Sequence, residues 1–113
     1  MPEPAPADAA EITVDALARL RREGASHVVL DVREVPELAI CALEGALHIP
    51  MRQVPERLAE IPRDRPVVVL CHHGIRSWQV TQYLRREGVE RAVNLAGGID
   101  AWAIEIDPAM ARY

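Results

Sequence analysis

The sequence PVVVLCHHGIRS, residues 66–77, gives the clearest structural signal in this chain of 113 residues. Four apolar residues, Val67 to Leu70, are followed by a cysteine, two histidines, a glycine and an arginine. An uninterrupted apolar run of this length predicts a strand that is buried on both faces, as in a parallel sheet. The chain continues as SWQVTQYLRREG, which predicts a helix with Ser77 as its N-cap and Gly88 as its stop. The stretch therefore predicts a strand, a tight loop and a helix.

Strand and helix patterns alternate along the rest of the chain. A second buried strand is predicted at residues 27–33, and shorter strands are predicted at Ile12, in ALHIP and in AVNL. Helices are predicted from residue 13 or 15 to Gly24 and in the segments VPELAI, VPERLAEI and IDAWAIEI. This alternation indicates an α/β fold with a mainly parallel sheet. Ligands of such sheets bind beyond the carboxyl ends of the strands, which is where Cys71 lies.

The composition is that of a single globular domain, with 50% hydrophobic and 27% charged residues. A net charge of −4 argues against a protein that binds nucleic acid or anionic membranes through a basic face. No segment reaches the roughly 18 apolar residues of a membrane span. We expect residues 1–10 to be a disordered leader without the features of a secretion signal, and residues 11–113 to be one domain. Because two cysteines are too few for a disulfide framework, we expect a cytoplasmic protein with reduced thiols.

The loop after the central strand has the properties of an anion site. Loop N–H groups and the first turn of the following helix carry partial positive charge, which lowers the pKa of a thiol placed there. Gly74 permits the positive φ of a closed loop, and Arg76 offers a planar fork of donors to an oxyanion. We therefore predict that Cys71 is a nucleophile whose sulfur is ionised and reachable from solvent. The predicted binding loop consists of His72, His73, Gly74, Ile75, Arg76 and Ser77, with the Ser77 hydroxyl as a further candidate donor to the sulfur.

The spacing of the loop separates two thiolate chemistries. Four residues lie between Cys71 and Arg76, one fewer than in the loop of cysteine phosphatases. A tighter loop suits one additional sulfur atom on the cysteine better than a tetrahedral phosphate. The spacing therefore favours sulfur transfer over a phosphatase or an arsenate reductase.

Motifs in four places resemble the rhodanese family in its single-domain form. They are LDVRE (30–34), EGALHIP (44–50), VVVLCHHGIRS (67–77) and NLAGGIDAW (94–102), and the resemblance covers residues 11–113. It implies a five-stranded, mainly parallel sheet flanked by helices on both faces. It also implies that Cys71 takes a sulfur from thiosulfate or a similar small-molecule donor as a persulfide and passes it to cyanide or a thiol. No metal or organic cofactor is implied.

Other residues have two interpretations each. Arg76 either contacts the substrate or closes the loop by pairing with a carboxylate. His72 and His73 are expected at the pocket mouth, because neighbours on a tight loop lack the usual spacing of metal ligands. Asp31 and Arg33, at the end of a neighbouring strand, either take part in catalysis or, as we expect, support the loop as a buried ion pair or hydrogen-bond hub.

Two questions of function stay open in the sequence. The chain is a sulfurtransferase, or it is a rhodanese-fold module that binds or senses without catalysis, or a carrier that passes persulfide sulfur to a protein partner. Because Cys71, Gly74 and Arg76 are all present, the enzyme is favoured. Cys41 is either a packed small residue or a resolving thiol that attacks the persulfide.

Overall fold

The computed structural model describes residues 10–113 as five strands, four helices and short 3-10 turns. The strands are β1 (Glu11–Ile12), β2 (Val28–Asp31), β3 (Leu47–His48), β4 (Val67–Leu70) and β5 (Ala92–Leu95). The helices are α1 (Val14–Glu23), α2 (Val35–Ile40), α3 (Ile75–Arg86) and α4 (Gly98–Glu105), and 3-10 turns span Met51–Gln53 and Leu58–Glu60. The predicted leader, residues 1–10, lies outside the described residues except for Ala10. Within the described chain no helix has the length and apolar character needed to cross a bilayer.

The sheet of the described chain has the strand order β1-β5-β4-β2-β3, and every neighbouring pair is parallel. Strand β4 lies at the centre, where Val67 is paired with Val28 on one side and with Ala92 on the other. Because all strands run the same way, their carboxyl ends share one edge of the sheet. Cys71 follows β4 directly and therefore lies in the middle of that edge.

Strand β4 supplies both faces of the core. Its residues are all buried, and they alternate: Val67 and Val69 pack into one hydrophobic cluster, and Val68 and Leu70 into the other. The first cluster includes side chains of α3 and of the 3-10 turns, whereas the second includes side chains of α1 and α4. The predicted α/β fold, with helices on both faces of a five-stranded parallel sheet, is confirmed.

Two local predictions were wrong. The segment VPERLAEI was predicted to be a short helix, but it contains turns and one 3-10 turn at Leu58–Glu60. Few residues separate Pro55 from Pro62, and so short a segment gains too few hydrogen bonds to offset helix nucleation.

Ser77 was predicted to be the N-cap of α3, but the helix begins earlier, at Ile75, with Gly74 as its N-cap. The reason lies in the preceding thiol, because the N–H of Ser77 donates to the Cys71 sulfur at 3.4 Å. The sulfur therefore accepts the hydrogen bond of a first-turn N–H, which a capping side chain would otherwise accept.

Candidate active site

The Cys71 sulfur lies at the focus of the loop that joins β4 to α3. Among the described residues, three donors contact Sγ: the N–H of Gly74 at 3.1 Å, the N–H of Ser77 at 3.4 Å and the hydroxyl of Ser77 at 3.2 Å. Gly74 is the N-cap of α3 and adopts a φ of +106°, which directs the chain from the loop into the helix. The side chain of Ile75 is 73% exposed, so this residue faces the loop with its backbone alone.

These contacts decide the ionisation of the thiol. Burial raises the pKa of Cys71, but the hydrogen bonds from Ser77 and Gly74 and the positive charge of Arg76 lower it by more. The net effect is a pKa below the usual value for cysteine. The loop therefore favours the thiolate, the form of cysteine that acts as a nucleophile.

Asn94 on β5 fixes the position of the Ser77 hydroxyl. Its Nδ2 donates to the carbonyl of Gly74 at 3.2 Å and to Glu11 Oε2 at 2.9 Å, so its Oδ1 must face Ser77. Ser77 Oγ lies 2.5 Å from this Oδ1 and 3.2 Å from the Cys71 sulfur. A hydroxyl has one proton to donate, so it can serve either the amide oxygen or the thiolate at a given moment. Asn94 thus holds the hydroxyl within reach of the sulfur.

The N-terminus of α4 closes the loop from a second side. The N–H of Ile99 donates to the Cys71 carbonyl at 2.9 Å, and that of Asp100 donates to the His72 carbonyl at 3.1 Å. This approach requires Gly98, because a Cβ there would lie 2.6 Å from the Cys71 carbonyl oxygen and closer still to that of His72. The N-terminal ends of α3 and α4 therefore both face the thiol loop.

Arg76 pairs with Glu37 on α2. Its Nη1 and Nη2 donate to the two carboxylate oxygens, each at 2.8 Å. The Arg76 guanidinium lowers the pKa of Glu37 to about 2, so the pair is ionised across the neutral range. Of the two roles predicted for Arg76, this geometry favours closing the loop through a carboxylate.

Asp31 and Arg33 form an ion pair at the carboxyl end of β2, and both side chains are fully buried. Arg33 Nη2 lies 2.7 Å from Asp31 Oδ2 and also donates to the Cys41 carbonyl at 2.9 Å, while Nη1 donates to the Glu37 carbonyl at 3.4 Å. The pair thus fixes the C-terminal part of α2. Its link to the thiol loop is indirect and passes through Glu37 and Tyr113.

His72 and His73 lie with Asp100 beside the loop. His73 Nε2 is 3.7 Å from Asp100 Oδ2, and potential ligand atoms of these three residues lie within 4.8 Å of one another. Among the described residues this group has the donor types that could hold a metal ion. The carboxylate already pairs with Arg112 at 3.0 Å, and this contact holds the pKa of Asp100 below its usual value.

The prediction that the Cys71 sulfur is reachable from solvent was wrong for this conformation, because the residue is only 1% exposed. Tyr113 packs against His72, the residue that follows Cys71. Its ring stacks on the ring of His72, with centroids 3.8 Å apart and an interplanar angle of 7°. Its hydroxyl donates to Glu37 Oε1 at 2.8 Å and accepts from Arg33 Nη1 at 3.1 Å. A cavity of about 770 Å³ lies elsewhere, at the amino ends of β2 and β3.

Cys41 lies at the end of α2, partly buried, and its thiol is free, as is that of Cys71. It packs against the cluster on the α1 and α4 side of the sheet, whereas Cys71 belongs to the opposite cluster. The Cys41 sulfur lies 4.0 Å from Arg33 Nη1. Its surroundings are those of the packed small residue that was one of the two predictions.

Sequence reasoning missed Glu37, Asn94, Gly98 and Tyr113 as parts of the site. Asn94 gave a usable signal, since a polar residue within the apolar run AVNL is expected to have a buried partner. Glu37 gave only the sign of a helix start, as the second member of a capping box with Glu34. Tyr113 lies outside any periodic pattern, so its role was visible only in three dimensions.

Comparison with known proteins places this geometry in a family. The family model for the Rhodanese-like domain matches residues 13–105, most of the described chain. The chain belongs to the rhodanese-like domain family. The recognition made from the four sequence motifs is thereby confirmed.

Relatives of this rhodanese-like chain include proteins of similar length. It is 40% identical over 93 residues to a protein of Allochromatium vinosum named "Sulfurtransferase", covering 82% of this chain and 87% of the relative. It is 35% identical over 98 residues to "Putative sulfurtransferase YtwF" of Bacillus subtilis, covering 87% and 94%. The crystal structure of SSP1007 from Staphylococcus saprophyticus matches with a TM-score of 0.78 and 35% identity, over 85% of this chain and 95% of that one. The names of the relatives support sulfur transfer as the general activity.

Proposed function

We propose that this rhodanese-like protein moves a sulfane sulfur from thiosulfate, or a donor of similar chemistry, to a thiophilic acceptor through a persulfide on Cys71. The observation that carries the proposal is the set of donors on the sulfur, namely the N–H of Gly74 and both the N–H and the hydroxyl of Ser77, at 3.1–3.4 Å. Such donors favour a thiolate and would equally stabilise the negative charge of a persulfide. We place the reaction in the cytoplasm, where thiols stay reduced.

The reaction would take place in two displacements. In the first, the Cys71 thiolate attacks the outer sulfur of thiosulfate; a bond forms between the two sulfurs, and sulfite leaves with the electron pair of the broken bond. In the second, cyanide or a thiolate attacks the outer sulfur of the persulfide, and the Cys71 thiolate is regenerated. The products are thiocyanate or a new persulfide. Because one product leaves before the second substrate reacts, the kinetics are expected to be ping-pong.

Residues around the sulfur have different tasks in this scheme. Ser77 and Gly74 hold the sulfur as an anion, and Asn94 keeps the Ser77 hydroxyl in position. The first-turn amides of α3 at Ile75 and Arg76 have no acceptor within the helix and are available to the outer sulfur. Arg76 contributes positive charge, while its pairing with Glu37 keeps the loop closed.

Intact-mass spectrometry after incubation with thiosulfate tests the proposal. The wild-type protein is expected to gain the mass of one sulfur atom and to lose it on addition of cyanide, with formation of thiocyanate. Cys71→Ser should show no gain, whereas Cys41→Ser, the matched control, should behave like the wild type. A wild-type protein that gains no sulfur, or a Cys71→Ser variant that keeps the adduct, would overturn the persulfide mechanism and favour a module that only binds.

A further inference from the structure

The side chain of Tyr113 contacts groups at both ends of the thiol loop. At one end its ring lies 3.8 Å from the ring of His72, the residue that directly follows Cys71. At the other end its hydroxyl donates to Glu37 Oε1 at 2.8 Å, and the same carboxylate binds Arg76 at the far end of the loop. Tyr113 therefore links the residue next to Cys71 with the carboxylate that holds Arg76, and Cys71 itself is 1% exposed.

Residues 107–113 bring Tyr113 to this position. After α4 ends, the N–H of Asp107 donates to the Trp102 carbonyl at 2.9 Å, which turns the chain back along the helix. Farther on, Arg112 pairs with Asp100 in the first turn of α4 at 3.0 Å. The segment is thus attached to α4 at both ends before it reaches the loop.

The contacts of residues 107–113 are weaker than those that hold the thiol loop and the start of α4 around the sulfur. The loop and the start of α4 are joined by backbone hydrogen bonds to the carbonyls of Cys71 and His72. By contrast, Tyr113 is 38% exposed and the Arg112 side chain is 56% exposed, so water competes for their contacts. Local opening begins where few buried contacts must break. Of these parts, residues 107–113 can move first.

We propose that Tyr113 is a gate over Cys71 and the residue that selects reactants by size. A small displacement of the ring from His72 admits small reactants such as thiosulfate and cyanide, whereas a bulky thiol such as glutathione needs residues 107–113 to move away. The naming of these reactants rests on the proposed sulfur transfer, but the shielding of the thiol does not. Tyr113 thus favours small sulfur acceptors over bulky ones.

Alkylation of Cys71 by iodoacetamide tests the gate without any sulfur donor. The thiolate displaces iodide and forms a carbon–sulfur bond, and a Cys41→Ser background restricts the reaction to Cys71. Rates are compared on the plateau of the pH–rate profile, so that a change in the pKa of Cys71 does not contribute. Loss of the stacked ring and its hydrogen bonds in Tyr113→Ala should accelerate alkylation by about tenfold. Tyr113→Phe keeps the ring and should accelerate it by about threefold.

A matched control separates gating from general loosening of the C-terminal region. Ile104 on α4 has an apolar side chain that is 52% exposed, and Ile104→Ala should leave the alkylation rate within about twofold of the wild type. Circular dichroism confirms that each variant is folded. If Tyr113→Ala remains within twofold of the wild type as well, the gate is overturned.

Selection by size is measured on the persulfide form, loaded with thiosulfate and discharged by cyanide or by glutathione. Tyr113→Ala should raise the rate with glutathione by about tenfold relative to the rate with cyanide. Equal acceleration with both acceptors would refute selection by size. If no variant takes up sulfur while alkylation still responds to Tyr113→Ala, the proposed function fails and the gate stands. If the variants take up sulfur but alkylation does not respond to Tyr113→Ala, the proposed function stands and the gate is refuted.

Discussion

Replacing Ser77 with alanine isolates the contribution of one hydroxyl to the reactivity of Cys71. The substitution removes the Oγ that lies 3.2 Å from the sulfur and keeps the N–H donors of Gly74 and of residue 77. A hydrogen bond to a charged group contributes about 1.5–3 kcal/mol, and a pKa change of one unit corresponds to about 1.4 kcal/mol. The hydroxyl also serves Asn94, so we expect the lower end of this range. Ser77→Ala should raise the pKa of Cys71 by about one pH unit.

The pKa is measured from the ultraviolet absorbance of the thiolate as a function of pH and, independently, from the pH dependence of alkylation. Thr81→Val is the matched control, because Thr81 is a buried hydroxyl residue one turn farther along α3. Its hydroxyl donates to the Ser77 carbonyl at 2.8 Å rather than to the sulfur. Thr81→Val should lower the free energy of unfolding by about 1 kcal/mol and leave the pKa of Cys71 unchanged. A Ser77→Ala protein with the wild-type pKa would refute the role of the hydroxyl.

The pH dependence of the free energy of unfolding gives a second measure of the shift in the pKa of Cys71. Since the pKa of Cys71 is lowered in the folded protein, ionisation adds stability above the pKa of the unfolded thiol, about 8.5, and this gain is lost as the pH falls through the folded value. Ser77→Ala reduces the gain. The difference in unfolding free energy between wild type and Ser77→Ala should therefore grow as the pH rises through this window, whereas that of Thr81→Val should stay constant.

Further predictions concern the contacts that hold the loop in place. Gly98→Ala forces a Cβ against the carbonyls of Cys71 and His72 and should lower the free energy of unfolding by about 3 kcal/mol or more. Gly45 also has a positive φ but lies in open space, so Gly45→Ala should lower it by about 1 kcal/mol. Equal losses for the two variants in urea unfolding would contradict the close approach of α4 to the loop. Glu37→Gln removes a carboxylate whose pKa is lowered to about 2, so the stability that this ion pair adds above pH 4.5 should be missing. The unfolding free energies of wild type and Glu37→Gln should converge as the pH falls from 4.5 toward 2, and a constant difference would exclude the pair as its source. Asp31→Asn leaves the buried charge of Arg33 without its partner and should lower the free energy of unfolding, measured with urea, by about 3–5 kcal/mol. A loss below about 1 kcal/mol would show that the ion pair is not needed for stability.

The fold could be predicted because its signals are local. The apolar runs around Val28–Asp31 and Val67–Leu70 state directly that both faces of these strands are covered, which in a chain of alternating helices and strands specifies a parallel sheet. The position of Cys71 at the edge of the sheet then follows from strand direction alone. Neither step requires knowledge of which side chains meet.

The contacts around the sulfur could not be predicted, because they join residues that are far apart in the sequence. Arg76 and Glu37 are 39 positions apart, and Tyr113 and Glu37 are 76 apart. Many carboxylates in this acidic chain could have paired with Arg76, and nothing in the spacing selects one of them. The capping role predicted for Ser77 failed for a related reason. The preference of serine for helix N-caps is local, and it was overridden by the Cys71 sulfur, which accepts the N–H of Ser77.

The close packing of α3, α4 and the loop causes both the burial and the reactivity of Cys71. Donors can converge on the sulfur only if α3, α4 and the loop pack closely, and this packing excludes water and so raises the pKa of the thiol. The donors must therefore outweigh the burial that their own convergence creates. In the proposed reaction a persulfide would relieve the restriction, since its outer sulfur would lie about 2 Å beyond Sγ. In the same reaction the acceptor attacks that outer atom rather than Sγ, so for reactants of equal size closure by Tyr113 restricts the loading of sulfur more than its release.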